Sequence, residues 1–374
     1  MTRHVKLARP IFKKKDFEFI EEKMHKILES GWLTSGRYVE ELEKGFTKLV
    51  GTRHAIATTN ATSALHAMMA SLDPSREDEV VVPANTFAST ANAALYVGAR
   101  PVLADCDAES FNVSAETIAP QITEKTRAVI VTHIGGNPCE MDPIVSLCKS
   151  RGLVLIEDSA HATGSRYRGK PCGSFSLGSA FSMYPNKIIT SAEGGVICTD
   201  SDQLDRFSRT FRNVGRVNFG DGPIVMLGYN YRMSDVHAAI GLSQLRHVEG
   251  FVNSRNRLAE KYTRMLEETE WLEPQKVSTH SYSSYYAYIV KLSAKAPISR
   301  DKLAVALKAK GIGTTVIYTP LNQQPYFARF SRRTISMPNA EAIGSRSLAL
   351  PLHPGMTADD VSYVVKAIRS VAPK

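Results

Sequence analysis

Cysteine is scarce in this chain of 374 residues, and what there is does not frame a fold. Cys106, Cys139, Cys148, Cys172 and Cys198 are odd in number, scattered, and form no CxxC pair. That argues against a disulfide scaffold or a zinc site and for a reducing, cytoplasmic compartment. No apolar run approaches the ~20 residues that span a bilayer. The opening MTRHVKLARPIFKKKDFEF is basic but lacks the apolar core and small-residue cleavage site of a secretion signal, so no membrane partner is expected. The histidines show no HExxH spacing, and no metal is expected. No GxGxxG follows a strand-like run, which removes the dinucleotide fingerprint. GSRYRGKP (164–171) has the Gly-x4-Gly-Lys skeleton of a phosphate loop, yet Pro171 offers neither a hydroxyl for magnesium nor an N–H for phosphate. The formal charge of +9 suits an anionic ligand, but acids are interspersed with the bases, and Lys13–Lys15 reads as a solvated helix start. With no zinc-finger, RNP or helix-turn-helix pattern, nucleic acid is not an expected partner.

A composition of 43% hydrophobic and 22% charged residues is that of an ordinary globular chain, and the length allows a large domain with a smaller one. From residue 54 onward, short β-rich runs alternate with helical patterns. HAIATT, DEVVVPANTF, RPVLADCD, RAVIVTHIGG and LVLIEDSA read as strands; SALHAMMASL, STANAALYVG, SAETIAPQI and DPIVSLCKS read as the helices between them. The unbroken apolar runs VVV, VIV and LVLI belong to parallel strands buried on both faces. The alternation predicts an α/β fold with a large, doubly wound, mostly parallel sheet. Ligands of such sheets sit beyond the carboxyl ends of the strands, which places Thr59–Ser63, Asn85–Phe87, His133–Gly136 and Asp158–His161 along one rim. After Met233 the pattern predicts one long helix over SDVHAAIGLSQLRHVEGFVNSRNRLAEKYTRMLEE, with Gly241 and Gly250 as possible kinks. The strands YYAYIVKL and TTVIYTP and the helices DKLAVALKAKG and DDVSYVVKAIRSV then complete a small α+β unit. The expected division is 1–250 for the large domain and 251–374 for the small one.

Within FSMYPNKIITSAEGG (181–195) a single lysine, Lys187, stands beyond the last parallel strand, near the rim where Asp158 emerges. Ser182 precedes it by five residues, and the Glu193-Gly194-Gly195 turn brings GVICTD back alongside. An arbitrary lysine is a solvated surface group. A desolvated amine near a carboxylate is how proteins prepare a Schiff-base lysine.

Taken together, SGWLTSGRYVEELEKGF, TNATSALHAM, VVVPANTFAST, RPVLADCD, THIGGNPCEMD, LIEDSAHATGS, FSMYPNKIITSAEGGVICTD, RNVGR, GYNYRMSDVHAAIGLSQL and LALPLHPGMT resemble, in order and nearly end to end, the DegT/DnrJ/EryC1/StrS family of sugar aminotransferases. The resemblance implies a fold-type-I enzyme using pyridoxal 5'-phosphate (PLP). Lys187 would form the Schiff base and shuttle the proton, and Asp158 would keep the pyridine nitrogen protonated. Ser182 and the Asn60–Ser63 turn, with the hydroxyls of Thr62 and Ser63, would bind the phosphate at a helix N-terminus; the plainer reading makes Thr62 and Ser63 an N-cap, and the two are compatible. Phe87 would stack on the ring, where the alternative is a core aromatic. His161 would lie against the ring or its O3′. Asn230 would reach the phosphate of the neighbouring subunit, implying a homodimer with shared sites; GYNYRMS follows FGDGPIVMLGY, a segment suited to an extended interface loop. Arg232 and Tyr318 are candidates for substrate binding, against an interface ion pair and an edge-strand aromatic.

The implied reaction is amination of a keto-sugar, nucleotide-linked, with glutamate as the amino donor. A PLP-dependent sugar dehydratase and a non-catalytic regulator on the same fold are the alternatives. An intact Lys187 speaks against dehydratases that carry His there, and Lys187, Asp158 and Ser182 together speak against the idle form. Three departures stand out: Asn60-Ala61-Thr62 where relatives commonly read NGT, HIGG (133–136) in place of HLYG, and Asn322 where many relatives carry His. The last two fall where substrate would sit.

Overall fold

The strands of the main sheet, as expected, are short and apolar on both faces. The computed structural model describes residues 3–218, 222–328 and 336–371. In chain order the strands are β1 (His54–Thr58), β2 (Glu79–Pro83), β3 (Arg100–Ala104), β4 (Thr126–Thr132), β5 (Val154–Asp158), β6 (Arg166–Tyr167), β7 (Lys170–Pro171), β8 (Gly178–Ser182), β9 (Gly195–Thr199), β10 (Leu272–Pro274), β11 (Ser281–Tyr282), β12 (Tyr288–Leu292) and β13 (Ser347–Leu350). The helices are α1 (Lys14–Ser30), α2 (Arg37–Val50), α3 (Ala61–Ala70), α4 (Ala88–Tyr96), α5 (Ala115–Ile118), α6 (Met141–Ser150), α7 (Asp202–Phe211), α8 (Asp235–Leu245), α9 (Val248–Leu266), α10 (Arg300–Ala309), α11 (Pro325–Ala328), α12 (Pro338–Arg346) and α13 (Ala358–Val371).

Seven strands form the main sheet in the order β1-β9-β8-β5-β4-β2-β3. Only β9 runs against its neighbours, pairing antiparallel with β1 and β8, while β2, β3, β4, β5 and β8 are parallel. Successive residues of one strand enter different cores. Val80, Val82 and Ile130 pack with α3 and α4, and Val81, Val129 and Val131 pack with Ile144 and Cys148 of α6. Burial on both faces is why these strands read as unbroken apolar runs rather than alternating ones. With β1, β4, β5 and β8 aligned, Thr58, Thr132, Asp158 and Ser182 end on one rim of the sheet.

A second core lies around the antiparallel sheet β10-β12-β13, packed by α9, α10 and α13. Val5 joins that core and bridges in parallel to Ile312, so the first residues of the chain fold against its last third. The third, two-residue-stranded sheet β11-β6-β7 ties the segment after β5 to the approach of β12.

Three expected elements differ. The long helix after Met233 is two helices, broken at Arg246–His247 rather than at either glycine. The buried carboxylate of Asp16 accounts for the break: its Oδ1 lies 2.8 Å from His247 Nε2 and 3.4 Å from Arg246 Nη2, and its Oδ2 accepts from Lys13 N–H at 2.7 Å. TTVIYTP is not a strand; it makes one isolated bridge, Thr315 to Ala349. Its backbone turns to the rim instead, where Tyr318 N–H donates to Asn85 Oδ1 (3.2 Å) and Leu321 N–H to the Ala84 carbonyl (2.8 Å). SAETIAPQI forms a single helical turn followed by a 3-10 turn at Ala119–Gln121, where Pro120 lacks the N–H to continue.

Candidate active site

Beyond the sheet rim lies a cavity of about 430 Å³, and the candidates Thr62, Phe87, Asp158, His161, Ser182, Lys187 and Tyr318 all line it. One end of it is the turn between β1 and α3. Asn60 is the N-cap there: its Oδ1 accepts from Ser63 N–H (2.9 Å) while Ser63 Oγ accepts from Asn60 N–H (3.2 Å). The cap is therefore Asn60, not Thr62 or Ser63, because a side chain one residue before the helix reaches the free N–H of its third residue. Ser63 is buried beneath the turn and does not line the cavity, its hydroxyl already engaged by Thr59 and Asn60. Thr62 shares a 2.6 Å hydrogen bond with Ser89, also in the lining. Ser182 faces the same end from β8, and Tyr184 N–H points to its Oγ at 3.4 Å.

The Glu-Gly-Gly turn has a spatial cause. A Cβ on Gly195 would fall on the Asn60 carbonyl, so β9 passes the turn only as glycine. The lysine segment and the Asn60 turn are thus held backbone against backbone.

At the other end Asp158 closes β5, 3% exposed. Thr90 Oγ1 donates to its Oδ2 (2.7 Å) and Ala160 N–H to its Oδ1 (3.1 Å). Burial raises its carboxyl above the ordinary range, opposed by those two hydrogen bonds and by the charges of Lys187 and His133. Burial likewise pulls the Lys187 amine from its ordinary 10.5 down to about 8, while Asp158 draws it up. A lysine so shifted is a nucleophile near neutral pH, as a surface lysine is not.

His161 carries a neutral ring, its pKa driven well below 6.5 by burial and by the charges of Lys187 and His133. Its Nε2 lies 2.9 Å from Tyr318 Oη, and burial holds that phenol protonated. We therefore assign the phenol as donor, which puts the imidazole proton on Nδ1, a buried atom with no partner among the described residues. Phe87 is 55% exposed, so it is not a core aromatic; it caps the start of α4 with its ring 5.8 Å from that of Tyr318.

Asn230 and Arg232 are not in the lining. Asn230 is exposed and bridges to Asn213, to whose Oδ1 Arg232 donates (3.2 Å). The carbonyl of their neighbour Tyr231 accepts from Thr59 N–H at 3.0 Å, which sets the segment beside the Asn60 turn. Part of the preceding FGDGPIVMLGY, residues 219–221, lies outside the described residues. Sequence reasoning missed Thr90, Asn186 and Tyr286. Thr90 follows Phe87 by three residues, a helical spacing that puts both toward the rim and could have found it. Tyr286 stands in an aromatic run with no distinguishing signal.

A buried carboxylate, a lysine with a lowered pKa and a helix N-terminus in one cavity at the rim of a mostly parallel sheet define an enzyme. Residues 14–369 match the DegT/DnrJ/EryC1/StrS aminotransferase family. The chain belongs to that family, and it is an aminotransferase of the fold-type-I architecture. GDP-perosamine synthase of Caulobacter vibrioides is 35% identical over 346 residues, 92% of this chain and 93% of that one. Among solved structures, Helicobacter pylori PseC, an aminotransferase of pseudoaminic acid biosynthesis, superimposes with a TM-score of 0.92 at 27% identity, covering 98% of this chain and 99% of its own. DesI, solved with its TDP-sugar product, gives 0.90 at 29% identity over 99% and 93%. Among the described residues, no group of three or more His, Cys, Asp or Glu could hold a metal, and no helix is long and apolar enough to cross a membrane.

Proposed function

We propose that the chain binds pyridoxal phosphate in this cavity and uses it to aminate a keto-sugar carried on a nucleotide, with glutamate as amino donor. The observation that carries the reading is the joint placement of Lys187, Asp158 and the Asn60 turn around one cavity. The residues fit that cofactor. Asp158 is a buried acid with room for a cationic partner, and Nδ1 of His161 is a buried donor awaiting an acceptor. The glycine-cleared N-terminus of α3, with Thr62 and Ser182, suits a phosphate.

When bound, the cofactor supplies an electron sink for charge developing at the substrate carbon. The rest is done by the chain. Asp158 would hold a proton at the pyridine nitrogen, and Lys187 Nζ would take and return the proton of the reacting carbon. Phe87 and His161 would cover the ring and exclude water. The lining holds no arginine among the described residues, so a sugar diphosphate and the carboxylates of glutamate need cations from elsewhere. Arg232 stands on a segment with exposed Ile224, Val225 and Leu227, an apolar face that a second copy would cover. A homodimer sharing its sites, with Asn230 and Arg232 serving the neighbour, accounts for both features. Tyr318 would face substrate from beside His161. The nucleotide-linked substrate is supported by the names of the perosamine synthase and of the DesI complex. Five unpaired, buried cysteines suit work in the cytoplasm.

The test is borohydride reduction of the loaded protein followed by peptide mapping, then a panel of 3-keto and 4-keto nucleotide sugars with glutamate, read by mass. Label on Lys187 and a product carrying an amine are expected. Label on another lysine overturns the site, and amination of free ketones alone overturns the substrate.

A further inference from the structure

The amine of Lys187 rests 4.6 Å from the centroid of the Tyr286 ring. Tyr286 leads into β12, about a hundred residues beyond the lysine, and lines the same cavity. The same ring stacks on His161, centroids 4.1 Å apart and planes 15° from parallel. Burial pushes its phenol up to about 12, opposed by the Arg255 guanidinium and by the side chain of Asn186, the residue before the lysine. The Tyr286 carbonyl accepts from Arg255 Nη1 at 3.2 Å, and that buried guanidinium also holds the carbonyls of Tyr285 (3.0 Å) and Leu352 (2.8 Å). Gly136, with φ of 84°, lets this segment close on His161: a Cβ there would sit 2.9 Å from Tyr286 N and 3.0 Å from the His161 carbonyl. Tyr286 is therefore fixed from behind and touches both the lysine loop and the loop after Asp158.

We propose that Tyr286 is a positioning residue for amino transfer: its ring is the seat of the Lys187 amine whenever that amine is free. The role rests on the aminotransferase reading, in which Lys187 must be released and still remain within reach of the reacting carbon. A π face attracts an ammonium without supplying a base that would take its proton. Asp158 from β5, His161 from the loop after it, Glu193 and Tyr184 from the lysine loop and Tyr318 from the opposite wall are the other titratable groups around the cavity.

The experiment is competitive labelling of the full-length, cofactor-free protein with acetic anhydride across pH, with the Lys187 peptide quantified by mass spectrometry. The wild type should give a midpoint near 8. Tyr286→Leu keeps an apolar wall and removes the π face, so its midpoint should fall by about half to one pH unit. Tyr286→Phe keeps the π face and should keep the wild-type midpoint. A midpoint that stays or rises in the leucine variant, or one that falls as far in the phenylalanine variant as in the leucine variant, overturns the proposal. Labelling needs neither cofactor nor substrate, so its outcome is independent of whether the chain aminates a sugar.

Discussion

Replacing Lys187 by methionine keeps the length of the side chain, removes its charge, and should stabilise the cofactor-free protein at neutral pH. The lysine is half-buried, and folding takes its amine from an ordinary 10.5 to about 8. Holding a proton on such an amine at pH 7 costs roughly 3 kcal/mol if burial is complete. Water reaches part of the side chain, and screening reduces the figure to about 1–2 kcal/mol. The sign follows from linkage. Between about 8 and 10.5 the unfolded chain binds more protons at this site than the folded one, so stability rises with pH in that window. The penalty is fully present below 8 and relieved above it. Urea unfolding of both proteins at pH 7 and pH 10 should show the methionine variant more stable by about 1–2 kcal/mol at the lower pH and by only a few tenths at the higher. A variant no more stable at pH 7, or a gap that does not narrow by pH 10, would refute a desolvated amine at Lys187.

Asp158→Ala should retain cofactor poorly and lose most turnover, since nothing else in the lining would keep the pyridine nitrogen protonated; near-normal kcat would end that assignment. Mixing Lys187→Ala with Asn230→Ala subunits should restore activity above either parent, because one site of each mixed dimer keeps both residues; no recovery, with Asn230→Ala alone impaired, rules out shared sites. Gly195→Ala should push the Asn60 turn out of place and weaken phosphate-ester binding at least tenfold, measured by equilibrium titration of the cofactor, and unchanged affinity would show the turn to be free to move. Arg232→Ala should raise KM for a nucleotide-linked keto-sugar far more than it lowers kcat and leave the half-reaction with glutamate nearly untouched; equal loss in both halves would assign Arg232 to the fold instead.

What could be read along the chain was whatever local chemistry decides alone. VVV, VIV and LVLI are apolar without alternation because each strand feeds a core on both faces, and that property is visible one residue at a time. Strand ends then place Asp158 and Ser182 on the rim, with no knowledge of contacts required. The errors share the opposite property. Helix α8 ends at Arg246 because Asp16, some 230 residues earlier, captures both residues of the break. TTVIYTP has the composition of a strand, yet its Tyr318 N–H is claimed by Asn85, and the N–H of Leu321 just after it by the Ala84 carbonyl. Asn60, two positions before Thr62 and three before Ser63, takes the cap, a choice of register that propensity ranks too evenly to resolve.

Lys187 combines both kinds of information. Its segment is conspicuous because two glycines follow it, and a local reading takes them for a turn. Gly195 is glycine for a tertiary reason: β9 must run past Asn60 without a Cβ, which brings the lysine loop and the N-terminus of α3 together in the lining of one cavity. Gly136 acts alike on the far side, clearing the approach of Tyr286 to His161. In both places the chemistry-bearing side chain is brought to the site by a missing methyl elsewhere. A substitution at either glycine should therefore displace the side chains around Lys187 while changing the identity of none of them.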